Sequence, residues 1–184
     1  MTEIKNISFS YGDKVIFNDF SLIIEDQKIT CITGKSGAGK STLINLICGL
    51  HKPAKGEIVT DGKGFSVVFQ DDRLLPWYTA EKNISIVSDK NSAAKWLKAV
   101  GLDGSQELLP SQMSGGMKRR LALARALAFD AGTLILDEPL NGVDSETKSI
   151  LLDIIKEQSR TKSVILISHN SNEIEKLADN IVTI

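Results

Sequence analysis

Over the first 33 residues, apolar and polar positions follow short, strand-like patterns. They fall at 4–10 (IKNISFS), 14–17 (KVIF), 20–25 (FSLIIE) and 28–33 (KITCIT), with a Tyr-Gly-Asp turn signal at 11–13. The spacing then becomes helical over 40–50 (KSTLINLICGL), and the His-Lys-Pro at 51–53 ends that helix. Strands are expected next at 56–60 (GEIVT) and 65–70 (FSVVFQ). From 71 to about 112 the pattern is irregular. Prolines at 76 and 110 bracket short helical pieces, of which the clearest is 92–101 (SAAKWLKAVG), with Ser92 as its expected cap and Gly101 behind it. From Ser114 the pattern is regular again. It predicts a helix over 115–128, a strand over 133–137 (TLILD), a helix over 145–159, a strand over 163–168 (SVILIS), a helix over 171–179 and a last strand in DNIVTI.

Alternating strands and helices with near-continuous apolar strands imply a parallel sheet covered on both faces. The expected class is therefore α/β, with an antiparallel N-terminal addition and a small helical lobe inserted at 71–113. All 184 residues are expected to form one domain, enough to bury roughly 70% of the unfolded surface without disulfides. The contents of 42% hydrophobic and 24% charged residues are those of a soluble globular protein, and the net charge of -1 argues against a nucleic-acid partner held by bulk electrostatics. Only a local basic cluster, Lys118, Arg119 and Arg120, keeps that contact open. Cys31 and Cys48 have neither metal nor redox spacing and read as small buried hydrophobes. No apolar run approaches ~18 residues and no leader-like segment opens the chain, so the expectation is a cytoplasmic protein that meets a membrane only through a partner.

Two segments carry chemistry. Gly34-Lys35-Ser36-Gly37-Ala38-Gly39-Lys40-Ser41 fits G-x-x-x-x-G-K-[ST], follows a strand and opens a helix. Glycines let backbone N–H groups close on phosphate oxygens, and the helix N-terminus adds about half a positive charge. Lys40 is placed to reach the β- and γ-phosphates, and the Ser41 hydroxyl to ligate Mg²⁺. Downstream, Thr133–Asp137 and Glu138 form an apolar strand that delivers two carboxylates at its C-terminal edge, where ligand sites of open α/β sheets gather. Neighbouring residues of a strand point opposite ways. Asp137 is the candidate to hold Mg²⁺ through water and Glu138 the candidate general base. A second Gly-rich loop, Ser114-Gly115-Gly116-Met117, also opens a helix and resembles another anion cradle.

The order of a P-loop, Phe69-Gln70 after an apolar strand, Ser-Gly-Gly at a helix start, Leu-Asp-Glu-Pro and Ser168-His169 resembles an ATP-binding cassette (ABC) ATPase of a membrane transporter. The likeness spans nearly the whole chain. It implies a P-loop NTPase (RecA-like) core formed by 1–70 and 114–184, with 71–113 as the inserted helical subdomain. It also implies that the second cradle serves another molecule: in that family two copies sandwich two ATP molecules head to tail, and the Ser114–Met117 loop acts in trans. By the same resemblance Tyr11 stacks on adenine, Thr42 completes the phosphate loop, and Gln70 touches Mg²⁺ or water. Asp144 then sits at the subunit interface and His169 contacts the γ-phosphate. Implied partners are a second copy, two transmembrane permease subunits docking near 71–80 and, for an importer, an extracytoplasmic substrate-binding protein. The chain would lie at the inner face of the cell membrane.

Leu74-Leu75-Pro76-Trp77 makes an apolar patch, either lobe core or a docking surface. The string Gln-Asp-x-Arg-Leu-Leu-Pro-Trp and Met117 resemble the importers for nitrate, sulfonates and taurine. The chain departs from the family pattern at a shortened stretch between Asp61-Gly62 and Val68, at Met113 where Leu is usual, and at Arg119 where Gln is common. An exporter cassette would share every catalytic motif. A non-transport member of the superfamily would show tandem cassettes, a coiled-coil insertion or a basic surface, none of which this chain has.

Overall fold

A computed structural model describes residues 1–184. Strands β1 (Thr2–Tyr11) and β2 (Lys14–Ile24) form an antiparallel hairpin closed by Gly12-Asp13, and β4 (Lys55–Val59) pairs with the other edge of β1. Residues 14–17 and 20–25, expected as two strands, are one. Between them Asp19 takes a left-handed backbone (φ 56°) and the register shifts, so a bulge absorbs the break in alternation. Asn6, also left-handed, donates to the Asp19 carboxylate at 2.8 Å and fixes the bulge from the neighbouring strand.

The second sheet is wholly parallel. Its order is β5 (Phe65–Val68), β6 (Thr133–Asp137), β7 (Ser163–Ile167), β3 (Ile29–Thr33) and β8 (Asn180–Thr183). Every residue of β6 and β7 is buried, as expected of strands covered on both faces. The two-residue period of the strands sorts their side chains into two cores. Leu134, Leu136, Val164 and Leu166 pack with Leu121 and Leu151 of helices α4 (Gly115–Ala128) and α5 (Ser145–Gln158). On the opposite face Ile135, Ile165 and Ile167 pack with Leu43 and Ile47 of α1 (Lys40–Ile47) and with Ile4, Ile7 and Phe17 of the antiparallel sheet. The parallel strands all end at one edge, and the loops after β3, β5, β6 and β7 meet there.

Within 71–113 lie α2 (Ala80–Ser85) and α3 (Lys90–Ala99), which pack on each other and on α4. The cap of α3 is not Ser92. Asp89 accepts the Ser92 N–H at 2.9 Å, so the helix starts two residues before the predicted Ser, because a carboxylate three residues upstream outcompetes a hydroxyl inside the first turn. Gly101 follows the helix with φ 69°, as expected of a terminating glycine. A short 3₁₀ turn, Pro110–Gln112, leads into Met113. Helix α6 (Ser171–Leu177) precedes β8. Cys31 is buried and Cys48 half-buried; burial raises both thiols to about 11, so they are protonated at neutral pH. No helix is long and apolar enough to cross a membrane.

Asp179 ties the last strand to the core. Its carboxylate accepts the Ile29 N–H at 2.8 Å and pairs with Lys156 at 3.0 Å. Burial works to raise the Asp179 carboxyl, but the Ile29 hydrogen bond and Lys156 outweigh it and hold the group below its usual 3.8. A depressed carboxylate contributes stability that is present above the unfolded value and lost as pH falls through the folded one. Asp179→Ala is therefore expected to cost about 1–3 kcal/mol at pH 7. Denaturant melts of both proteins should show that gap closing as pH drops below the usual carboxylate range.

Candidate active site

Strand β3 ends at Thr33 and α1 begins at Lys40; the loop between them wraps one end of a cavity of about 540 Å³. That volume is typical of small-molecule sites. Gly39 caps α1 with φ 109°, and a Cβ there would lie 2.7 Å from Ile16 Cγ2 and 3.0 Å from Phe17 Cζ. Strand β2 thus seats directly against the loop, and only glycine satisfies both the backbone and the space. Lys40 is 9% exposed, and its ammonium donates to the carbonyls of Gly34 at 2.8 Å and Lys35 at 2.9 Å. These bonds hold the ammonium against the loop, and Lys40 lines the cavity. The cavity is lined by Tyr11, Lys14 and Ile16 of the antiparallel sheet, by Ser36, Gly37 and Gly39 through Thr42 of the loop and the start of α1, and by Gln70, Asp137, Glu138 and His169 at the ends of parallel strands.

Asp137, at the end of β6, is 5% exposed, and its carboxylate accepts the Ser41 hydroxyl at 3.3 Å. Burial pushes the Asp137 carboxyl up; the Ser41 hydrogen bond lowers it and the Glu138 charge raises it further. A cation beside this pair would relieve the buried charge. Ser41 and Asp137 offer hard oxygen donors of the kind Mg²⁺ prefers, and nowhere in the chain, here included, do three His, Cys, Asp or Glu side chains gather to hold a metal by themselves. A metal held by only two protein groups must draw its other ligands from water and phosphate, which suits a nucleotide cleft.

Glu138 leaves the strand with a left-handed backbone (φ 50°), its N–H donating to Ile167 O at 2.9 Å. Its carboxylate is gripped on both oxygens. Oε1 lies 3.3 Å from His169 Nε2, and Oε2 accepts Asn141 Nδ2 at 2.6 Å. Asn141 was not legible as a site residue, since only its place three positions after Glu138 in a tight turn hints at contact. His169 is half exposed, on a loop anchored by its neighbour: Ser168 Oγ donates to buried Glu173 at 2.7 Å, and Glu173 pairs with Lys148 of α5 at 3.2 Å.

Tyr11 is exposed at the rim, where its ring meets Phe9 edge-on and its hydroxyl lies 3.0 Å from His51 Nε2. The sequence offers His51 no role; the fold brings it across 40 positions to Tyr11. Gln70 follows β5 and lines the cavity beside Ser41 and Asp137.

Ser114 through Met117 do not line this cavity. Ser114 caps α4 by accepting the Met117 N–H at 3.2 Å, while Gly115 and Gly116 face a separate polar cavity of about 560 Å³ with Asp72, Asn141 and Gly142. A Cβ on Gly116 would sit 2.8 Å from Gly142 O, so the helix start and the loop after β6 approach to backbone contact. Asp144 caps α5, accepting the Thr147 N–H at 2.9 Å; the backbone and side-chain hydrogen bonds of Thr147 hold its carboxyl below the usual range.

The basic cluster on α4 is not a free patch. Arg119 is 4% exposed, and Arg120 donates to Val100 O at 3.0 Å and Gly101 O at 2.7 Å. The Leu-Leu-Pro-Trp string divides: Leu74 packs on the core, whereas Trp77 is 68% exposed. Fully buried Asn83 braces that turn. It accepts the Leu75 N–H and donates to the carbonyls of Leu75, Tyr78 and Thr79, all at 2.9–3.1 Å.

Residues 17–141 match the family model for ABC transporters. The ATP-binding protein MlaF of the Haemophilus influenzae intermembrane phospholipid transport system is 34% identical, covering 97% of this chain and 78% of that protein. The aliphatic sulfonates import ATP-binding protein SsuB of Bacillus cereus is 35% identical, covering 97% and 77% respectively. A dimeric ATP-binding cassette in a post-hydrolysis state, bound to ADP and Pi, superposes with a TM-score of 0.91 at 26% identity, over 100% of this chain and 94% of that one.

Proposed function

The chain belongs to the ABC transporter ATP-binding family, and from that premise we propose that it hydrolyses ATP as one half of a head-to-tail pair that drives a membrane permease. The observation that carries this is the meeting, in one cleft, of the loop 34–42 with Gln70, Asp137, Glu138 and His169, while Ser114 stands outside it. Ser114 caps α4 in its own chain, and a Gly-rich loop that does not line its own nucleotide cleft is free to meet a nucleotide presented by another copy.

In this reading Tyr11 offers an exposed ring to adenine. Lys35 through Gly39 and Thr42 supply backbone N–H groups to the phosphates, and Lys40 exchanges its two carbonyl partners for phosphate oxygens. Ser41 and Asp137 would hold Mg²⁺, Asp137 through water, with Gln70 touching the ion or that water, and the ion would offset negative charge on the phosphates. Glu138 accepts the proton of the attacking water, and the imidazole of His169, within reach of Glu138, faces the γ-phosphate. Ser114, Gly115, Gly116 and Met117 close on the ATP of the partner copy, with Asp144 at the shared interface. ATP binds the closed pair better than the open one, and that difference in affinity drives closure.

Residues 71–113 form the inserted lobe, and Trp77, on its braced turn, is the docking point for the permease at the inner face of the membrane. The Gln70–Trp77 string and Met117, with the likeness to SsuB, support an importer of small solutes such as nitrate, sulfonates or taurine, fed by an extracytoplasmic binding protein. The likeness to MlaF favours a second reading, a lipid transporter. Vesicles carrying the chain and its permease, with ATP supplied on the side of the chain, distinguish solute uptake from lipid movement. Trp77→Ala is expected to leave ATP binding and stability of the isolated chain unchanged. Its affinity for the permease should fall at least ~30-fold, the loss expected of an exposed aromatic hot spot. Retention of full affinity in a pull-down from co-expressed membranes would move the docking point elsewhere.

A further inference from the structure

Arg119 stands where the family commonly has Gln, and its guanidinium is more fully engaged than any other in the chain. Nε donates to Glu138 O at 3.1 Å, and Nη2 donates to Glu138 O at 2.6 Å and to Asp137 O. Nη1 donates to Phe69 O at 2.6 Å, to Gln70 O at 3.2 Å and to the Asp72 carboxylate at 3.1 Å. One side chain of α4 thus bonds the ends of two parallel strands, β6 just past Asp137 and β5 just past Val68.

The bonded carbonyls are not arbitrary. Glu138 is a non-glycine residue with φ 50°, a conformation that L-residues avoid and that persists only where surroundings over-determine it. That turn swings the Glu138 carboxylate out of the strand and into the cleft. The guanidinium holds the carbonyls of both Asp137 and Glu138, so the fork fixes the two peptides that flank the Glu138 Cα. On the other side it holds residues 69–72, the segment that begins with Gln70 and runs toward Trp77. Arg125, one and a half turns along α4, bonds the Asp72 and Arg73 carbonyls at 3.3 and 2.9 Å and reinforces that end.

We propose that Arg119 is a positioning residue that locks the strained backbone of Glu138 to the 69–72 segment, so that the base and the segment leading to the docking surface move as one body. A glutamine amide has two N–H donors and an arginine fork has five in fixed geometry, so the amide cannot hold both strand ends at once. The inference rests on the reading of Glu138 as the base.

The test is steady-state ATP hydrolysis by the full chain and by Arg119→Gln, Arg119→Lys, Asp72→Asn and Glu138→Gln. Misplacing a catalytic group by about 1 Å costs up to ~10²-fold. Arg119→Gln should therefore lose ~10–100-fold in kcat with KM for ATP changed less than ~3-fold, and Arg119→Lys should recover part of the loss. Asp72→Asn, at a partly exposed position, should lower kcat in the same selective way by a smaller factor. A kcat for Arg119→Gln within ~3-fold of the parent overturns the proposal, as does a parallel loss of kcat, ATP affinity and melting temperature. Should the Arg119 variants not fold, Asp72→Asn decides, and an unchanged kcat there overturns it. Full turnover by Glu138→Gln would instead remove the base on which the inference stands.

Discussion

Glu138→Gln is expected to stop ATP turnover while leaving ATP binding intact. The amide has nearly the shape of the carboxylate and keeps an oxygen for the Asn141 amide, which now bonds Glu138 at 2.6 Å. What it loses is the ability to take a proton, and a positioned base is typically worth 10²–10⁴-fold in rate. In the proposed mode of binding the loop 34–42 and Lys40 meet the phosphates, so the substitution should spare binding. Removing one negative charge from the cleft also lowers repulsion toward the γ-phosphate. The variant should therefore accumulate the ATP-bound pair. Solution mass with MgATP and with MgADP reads this directly. A dimer with MgATP alone places Ser114 of one copy over the nucleotide of the other. A monomer that binds ATP makes closure dependent on the permease, and a protein that turns over at the parental rate overturns the assignment of the base.

Lys40→Ala should have the opposite signature, with ATP binding lost and hydrolysis lost only as a consequence. The Lys40 ammonium is buried against Gly34 O and Lys35 O, so its charge is already desolvated and aimed into the loop. Truncating one partner of a buried, hydrogen-bonded charge pair costs 2–5 kcal/mol, or roughly 30-fold to several thousand-fold in affinity. Titration of each variant with a fluorescent ATP analogue separates the two residues: Glu138→Gln should bind as tightly as the parent, and Lys40→Ala at least ~30-fold more weakly. An affinity for Lys40→Ala within a factor of three of the parent would mean that the backbone N–H groups alone hold the phosphates.

The two classes of residue differ in how visible they are along the chain. Lys40 belongs to a motif whose every member lies within nine positions, and the strand before it and helix after it are set by local periodicity. The helix over 115–128 and the strand over 133–137 were legible to the residue for the same reason: hydrogen bonds along a helix and alternation along a strand leave a periodic trace. Where local signals compete, the reading slips. The break in alternation between 17 and 20 separates two expected strands and becomes a bulge because β1 pairs across it, and Ser92 looks like a cap but lies within the first turn that Asp89 caps.

Sequence alone therefore determined the α/β class, the Gly-rich loop before α1, the acidic strand end and the second Gly-rich loop before α4, because each is written in neighbouring residues. It could not determine that the Glu138 carboxylate is gripped by Asn141 and His169, that His51 meets Tyr11, or that Arg119 joins residues 69–72 to residues 137–138. The contacts of Glu138 with His169 and of Arg119 with both strand ends were decided by the parallel order β5-β6-β7, which sets side by side three strand ends spread over about a hundred residues of chain. Most of the partners of Arg119 are backbone carbonyls. Every residue carries one, so no residue type can announce which of them a buried arginine will find.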